Sequence, residues 1–258
     1  MSKLFVNERR DKILNILETQ KRVTVKELSS LLDVSEATLR TDLKDLEKSG
    51  LLQRTHGGAT IIDRTPPENR FSTRAKRNIE EKMAIGRKAA ELIERDQCII
   101  LDASTTAIEL AKVLKNKDIR LTAITNGVFT ALELRENPQI TTILIGGILR
   151  IGASGIEGSL GVDMLEKINV DIMFTSASGF TIKDGLTDFN VYEVDTKRAM
   201  AKSAGRIVAL LDYSKLGKDS IATFAHTDEI DTVITDNKAP EDFLDQLRRK
   251  NINVLVSN

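Results

Sequence analysis

Residues 23–59 run VTVKELSSLLDVSEATLRTDLKDLEKSGLLQRTHGGA, two helical patterns around a very short turn and then a glycine hairpin. No other stretch of the chain restricts the fold as tightly. Thr24 is a good helix N-cap, and Glu27 three residues on completes a capping box. Val25, Leu28 and Leu32 line one face of the helix that follows. Asp33 and Val34 leave room only for a tight turn before Ser35 caps the next helix, with Glu36 where the helix dipole favours an anion. Upstream, Ile13, Ile16 and Leu17 recur at helical spacing in NERRDKILNILETQ and predict a first amphipathic helix.

The third helix carries the chemistry. Leu39, Leu43 and Leu46 form its buried stripe. At roughly 100° per residue, Ala37, Arg40, Thr41, Lys44 and Lys48 project on the opposite side, with Thr38 at the margin. A polar, cationic face near a helix N-terminus suits a major groove, where arginine meets guanine and hydroxyls meet phosphate. Gly50 is expected to end this helix as a C-cap. LLQRTHGGATII then predicts two short strands around Gly57 and Gly58, a wing that can set Arg54, Thr55 or His56 against the phosphate backbone. The expected contacts to double-stranded DNA are Ser35, Ala37, Thr38, Arg40, Thr41, Lys44, Arg54, Thr55, His56 and Gly57.

The formal net charge is zero, so DNA binding has to come from charges gathered on one surface. At 258 residues, with 41% hydrophobic and 29% charged residues, the chain suits one small and one medium globular domain. No apolar run approaches a membrane span and the N-terminus has no signal-type core, which predicts a cytoplasmic protein with no membrane partner. One cysteine and two histidines leave no disulfide and no zinc set, so no metal or cofactor is expected.

DRTPPENRFSTRAKRN breaks the periodic pattern with a proline pair and many charges, and predicts a linker over 63–78 between a winged module at 1–62 and a larger domain at 79–258. From Ile79 onward the apolar runs CIIL, RLTAI, TTILI, DIMFTS, RIVALL, TVIT and INVLV alternate with helical patterns. That alternation predicts a parallel-sheet α/β domain. Small and hydroxylated residues follow the runs, where open α/β sheets place ligands. They are Asp102, Ala103, Ser104, Thr105 and Thr106 after CIIL; Thr125, Asn126 and Gly127; Gly146 and Gly147; Ala177, Ser178 and Gly179; and Asp212, Tyr213, Ser214 and Lys215 after RIVALL. Ser104 to Thr106 open a helix, where hydroxyls and free amides converge on an anion. A phosphorylated sugar is the expected occupant.

VSEATLRTDLKDLEKSGLLQRTHGGA resembles the N-terminal signature of the DeoR family of bacterial transcriptional regulators. The family pattern is met at Ser35, Thr38, Leu39, Arg40, Asp42 and Leu43 and at the HGGA wing. Thr41 departs, because the family usually has a second arginine there, and this implies an altered operator preference. EEKMAIGRKAAELI, LDASTTAIELA, ITNG, IGG, EVDTKRAM and LLDYSKLG are similar to later family landmarks, so the resemblance covers nearly the whole chain. It implies a C-terminal effector sensor related in fold to ribose-5-phosphate isomerase and binding sugar phosphates. It also implies a homo-oligomeric repressor, dimer or tetramer, of a carbohydrate-metabolism operon. By the same resemblance Asp102, Ser104, Thr105, Thr106, Thr125, Asn126, Lys197 and Lys215 are effector contacts, with Ser104 standing where the family commonly has glycine.

The alternatives are a sugar-phosphate isomerase carrying a DNA module, and a purely oligomerising C-terminal domain. An isomerase needs a carboxylate base, for which Asp102, Glu193 and Asp195 are available. Glu193 and Asp195, however, lie at salt-bridge spacing from Lys197 and Arg198 on one helix. TSASGF also lacks the paired acids that the isomerases carry at the comparable loop, so no enzymatic activity is expected.

Overall fold

The computed structural model describes residues 6–49, 51–60, 71–150 and 153–258. Gly50, Ile61, Ile62 and the first part of the expected linker, 63–70, lie outside them. The chain divides into two compact units, Met1–Pro66 and Pro67–Asn258.

In the first unit α1 (Val6–Gln20) leads through β1 (Arg22–Thr24) to α2 (Val25–Leu32) and α3 (Glu36–Lys48), followed by β2 (Gln53–Thr55) and β3 (Gly58–Thr60). The capping box at Thr24 and Glu27 is formed, and Ser35 Oγ accepts from the Thr38 amide at 3.3 Å. Asp33 turns the chain in the left-handed region at φ 55°. Ile13, Leu17, Val25, Leu28, Leu39, Leu43 and Leu46 close one core with Val23, Leu52 and Ala59.

The wing differs from the expected two strands. β1 joins it, giving the antiparallel order β1-β3-β2. The two glycines consequently do different work: Gly57 holds φ 114°, while a Cβ on Gly58 would stand 2.0 Å from the Val23 carbonyl oxygen of β1. Asp42 also proves structural. Its buried carboxylate takes Arg9 Nε at 2.6 Å and Arg10 Nε at 3.1 Å, tying α1 to α3.

Among the described residues the second unit begins with α4 (Phe71–Lys76) and α5 (Ile79–Ala90), so the end of the stretch expected to be linker is helical and belongs to this unit. Then follow β4 (Cys98–Leu101), α6 (Thr105–Lys115), β5 (Leu121–Thr125), α7 (Val128–Leu134) and β6 (Ile140–Leu144). After them come β7 (Val170–Thr175), β8 (Gly179–Thr181), β9 (Gly185–Asp188), α8 (Val191–Ser203), β10 (Ala204–Leu210), β11 (Ala222–Ala225), β12 (Thr232–Asp236), α9 (Glu241–Arg249) and β13 (Asn253–Ser257). All seven expected runs pair in one parallel sheet, β13-β12-β10-β7-β4-β5-β6. The expected helix in GVDMLEKI is a single 3-10 stretch, Val162–Lys167. A second, antiparallel sheet, β11-β9-β8, has no counterpart in the expectations; its strands have three or four residues, too short to show periodicity. Among the described residues no helix is long and apolar enough to cross a membrane.

The sheet order fixes where a ligand can sit. From β4 the chain builds outward through β5 and β6, then returns to place β7 on the other side of β4. The crossovers after β4 and β7 diverge, and a crevice opens beyond the carboxyl ends of these two strands.

Candidate functional site

Asp102, directly after β4, organises this crevice and is fully buried. Its Oδ1 accepts from the Ser104 amide at 3.0 Å. Its Oδ2 accepts from Thr175 Oγ at 2.7 Å and the Ser176 amide at 3.0 Å. One carboxylate therefore staples the loops after β4 and β7 together. The Ser104 hydroxyl caps α6 by accepting from the Ala107 amide at 3.1 Å. That leaves the first-turn amides and hydroxyls of Thr105 and Thr106 at the cleft.

The cleft measures about 160 Å³ and is lined by six basic side chains, Arg74, Arg77, Lys82, Lys197, Lys215 and Lys218, against the carboxylates of Asp188 and Asp212. Ser176, Ala177, Ser178 and Ser214 complete the wall with Ser104, Thr105 and Thr106. Such a surface attracts an anion and can hydrogen-bond it from several sides.

Lys197 rises from α8 into the wall with its side chain 2% exposed. Its Nζ donates to the Ser176 carbonyl at 2.9 Å and to Asp188 Oδ2 at 2.7 Å, and lies 3.2 Å from Asp102 Oδ2. An ammonium has three protons, and three acceptors already surround this one. Burial pushes Lys197 down, but Asp188, Asp102 and Glu193 overcome it and hold the ammonium well above its usual range. Burial also raises Asp188, and the Lys197 charge outweighs it, leaving that carboxyl below its usual range. Lys197 thus supplies charge and holds the wall in place.

Glu193, one turn earlier on α8, is pushed up to about 7: burial raises it, Lys197 opposes, and Asp188 and Asp102 add to burial. A carboxyl raised in the folded state is stabilising below its unfolded value near 4.5 and loses that contribution as pH rises through about 7. Glu193→Gln is therefore expected to stabilise the protein by on the order of 2 kcal/mol at pH 8 and to change little at pH 5. Urea unfolding at both pH values checks this, and equal effects at the two would refute it. The expected pairing of Glu193 with Lys197 is not made; Asp195 does meet Arg198, at 3.5 Å.

Burial lowers Lys215, with Arg74 adding and Asp212 opposing, and burial takes Lys82 down to about 8. Both cations would gain from a bound anion.

Of the effector residues expected from sequence, Ser104, Thr105, Thr106, Lys197 and Lys215 converge on the cleft, with Asp102 beneath it. Thr125, Asn126, Gly127, Gly146, Gly147 and Gly179 do not line it. Thr125 Oγ accepts from the Gly127 amide, and Asn126 Nδ2 donates to the Ile156 carbonyl. A Cβ at Gly127 would stand 2.9 Å from Ala103 Cα. Gly146 and Gly147 lie at the surface, where the Gly146 carbonyl approaches Gly161 and Gly147 approaches the Glu157 carbonyl. Gly179 makes room for the Lys218 carbonyl. These residues shape loops around the cleft.

Asp212 and Ser214, in the loop expected after RIVALL, do line the cleft, whereas Arg74, Arg77, Lys82, Ser176, Asp188 and Lys218 were not expected there. Arg74 and Arg77 were hidden by the proline pair and charge density that suggested a linker, and Asp188 by the short antiparallel strands. Lys82 stands in EEKMAIG as an ordinary helical lysine, and only its 3% exposure marks it.

In the first unit, Ser35, Ala37, Arg40, Thr41 and Lys44 are exposed along α3 and its cap, and Thr38 is half-buried with its hydroxyl 2.9 Å from Ser35 Oγ. Arg40 reaches back to Glu36 at 2.7 Å, and Thr41 Oγ donates to the Ala37 carbonyl at 3.2 Å. Arg54, His56 and Gly57 are exposed on the wing and Thr55 is half-buried. The Arg54 amide donates to Glu47 Oε1 at 2.9 Å, which seats the wing on α3.

Residues 9–65 match the DeoR-like helix-turn-helix domain, and residues 77–237 match the DeoR C terminal sensor domain. The HTH-type transcriptional regulator GolR of Listeria innocua is 48% identical over 91% of this chain and 92% of its own. The HTH-type transcriptional repressor GlcR of Bacillus subtilis is 35% identical over 98% and 97%. Ribose 5-phosphate isomerase A from Methanocaldococcus jannaschii aligns over 54% of this chain and 55% of its own, at 18% identity and a TM-score of 0.41. Both of these close relatives are named as regulators of transcription and neither as an enzyme. A winged helix-turn-helix unit and an anion-ready α/β unit in one chain, matched end to end by such relatives, have one common account: the chain belongs to the DeoR family of transcriptional regulators.

Proposed function

We propose that the protein is a cytoplasmic repressor of a carbohydrate-metabolism operon, and that a phosphorylated sugar in the cleft of the larger unit modulates its grip on operator DNA. The observation that carries this is the convergence of six basic side chains and the start of α6 at the sheet's switch point. A cleft of about 160 Å³ falls below the 300–1,000 Å³ typical of drug-sized ligands and suits a small polar anion. In this account residues 1–62 read DNA and 79–258 sense the effector, with α4 counted with the sensor.

On α3, Arg40 is the base reader, Ser35, Thr38 and Lys44 meet phosphate or base edges, and Ala37 lets the helix approach. Thr41 has its hydroxyl engaged by the Ala37 carbonyl, which leaves its methyl for an apolar contact such as a thymine methyl. Arg54, Thr55, His56 and Gly57 meet the backbone from the wing. The protein is expected to work as a homo-oligomer on paired half-sites; Ile148, Leu149, Leu160, Val191 and Tyr192 are large apolar side chains left exposed in the second unit.

A labelled fragment of the gene's own upstream region is expected to shift at nanomolar protein, in a salt-sensitive and sequence-specific way. At least one member of a pentose- and hexose-phosphate panel changes that shift. A shift that no sugar phosphate alters would refute the effector assignment, and turnover of a sugar phosphate would favour the isomerase alternative.

A further inference from the structure

α4 is the first described element of the second unit; it carries Arg74, and Arg77 directly follows its last residue, so the two supply two of the six cations of the cleft. None of its residues is buried, so it has no core of its own to fix it. Among the described residues, side chains from several elements help to seat it. At its start the Phe71 ring stacks on Phe129 of α7, with centroids 4.9 Å apart and planes 15° from parallel. In its middle the Arg74 guanidinium lies 5.8 Å from the centroid of the Phe189 ring. At its end the Lys82 ammonium of α5 donates to the Arg74 carbonyl and, at 2.5 Å, to the Arg77 carbonyl. The chain then turns at Asn78, with φ 52°, whose side-chain Nδ2 donates to Asp212 Oδ1 at 2.8 Å.

These seats tie α4 to the cleft's own parts. Lys82 and Asp212 line the same cavity as Arg74 and Arg77, and Phe189 follows its wall residue Asp188. Thr105 and Thr106 at the start of α6 line the same cavity. An anion held by those amides would share the cavity with the two guanidiniums, and arginine makes strong, forked contacts to phosphate oxygens.

Building on the anion-site reading above, we propose that Arg74 and Arg77 clamp the effector's phosphomonoester, and that α4 thereby passes the state of the cleft to the DNA-binding unit that precedes it in the chain. Lys82 is the positioning residue of this clamp: it holds the carbonyls of the two arginines it places. A helix with no buried residue of its own gains order when an anion in the cavity engages its side chains.

The test uses the full chain with inorganic phosphate and a panel of pentose and hexose phosphates as probes. Hydrogen exchange of the wild type is followed with and without each probe at saturation. Amides of 71–82 are expected to slow by at least tenfold together with those at the start of α6. Probe affinity is expected to fall at least tenfold in Arg74→Gln/Arg77→Gln. Phe71→Ala, which unseats α4 outside the cleft, is expected to bring the ratio of operator affinities with and without probe toward one. Binding that slows α6 but leaves 71–82 unchanged would overturn the proposal without variants. So would a double variant that binds within twofold of wild type, or a Phe71→Ala protein with unchanged ratio. If neither inorganic phosphate nor any sugar phosphate binds the wild type, the anion-site reading itself fails, a result distinct from binding without a response in α4. A response to inorganic phosphate equal to that of every sugar phosphate identifies free phosphate as the ligand and leaves the clamp standing.

Discussion

Lys197→Met is expected to destabilise the larger unit by about 3–5 kcal/mol, the usual result of removing one partner from a buried ionic cluster. The ammonium is surrounded by Asp188 Oδ2, Asp102 Oδ2 and the Ser176 carbonyl, and methionine fills the volume while satisfying none of them. Two carboxylates would then share an enclosed site with no charge between them. Thermal unfolding reads the loss as a fall on the order of 10 °C for a unit of this size. The cause can be separated from lost packing. Adding Asp188→Asn removes one orphaned charge and is expected to recover part of the stability, which a packing defect would not do. A single variant that unfolds at the wild-type temperature would refute the account and return Lys197 to the role of a simple ligand contact.

Arg40→Ala is expected to weaken operator binding by about 10- to 100-fold, the range for losing one good base contact. The side chain is 60% exposed and pairs with Glu36, itself 45% exposed, so the pair contributes little to folding. The variant should therefore unfold near the wild-type midpoint while discrimination at one operator position relaxes. Lys44→Ala serves as the comparison: it should weaken all sequences alike and reduce the salt slope by about one. An Arg40→Ala protein that lost affinity uniformly, with specificity unchanged, would make Arg40 a phosphate contact instead.

The winged unit was almost wholly legible, because its determinants are local. Thr24 with Glu27, Ser35, and the Leu39, Leu43 and Leu46 stripe each act within one or two turns of helix. What escaped was long-range: β1 joining the wing, and Asp42 gripping Arg9 and Arg10 across more than thirty residues. The parallel sheet was legible for a related reason, since strands buried on both faces leave unbroken apolar runs. The antiparallel β11-β9-β8 sheet left none, and with it went Asp188.

For the candidate site the division is sharper. Residue types that bind anions at strand ends could be read in order along the chain, and Ser104, Thr105, Thr106, Lys197 and Lys215 do meet at one cleft. Thr125, Asn126 and the glycines at 127, 146, 147 and 179 have the same chemistry but shape the backbone, a difference that depends on what stands beside them. The sequence by itself determined that this chain carries a winged helix-turn-helix and continues into an anion-ready α/β domain, because helix caps, periodicity and apolar runs are short-range physics. Only the tertiary structure decided which strands bracket the crevice, that Lys197 is spent on neighbouring acids, and that two arginines of an apparent linker complete the wall. Those outcomes depend on burial and on charges brought together from distant parts of the chain, and neither is encoded in any local spacing.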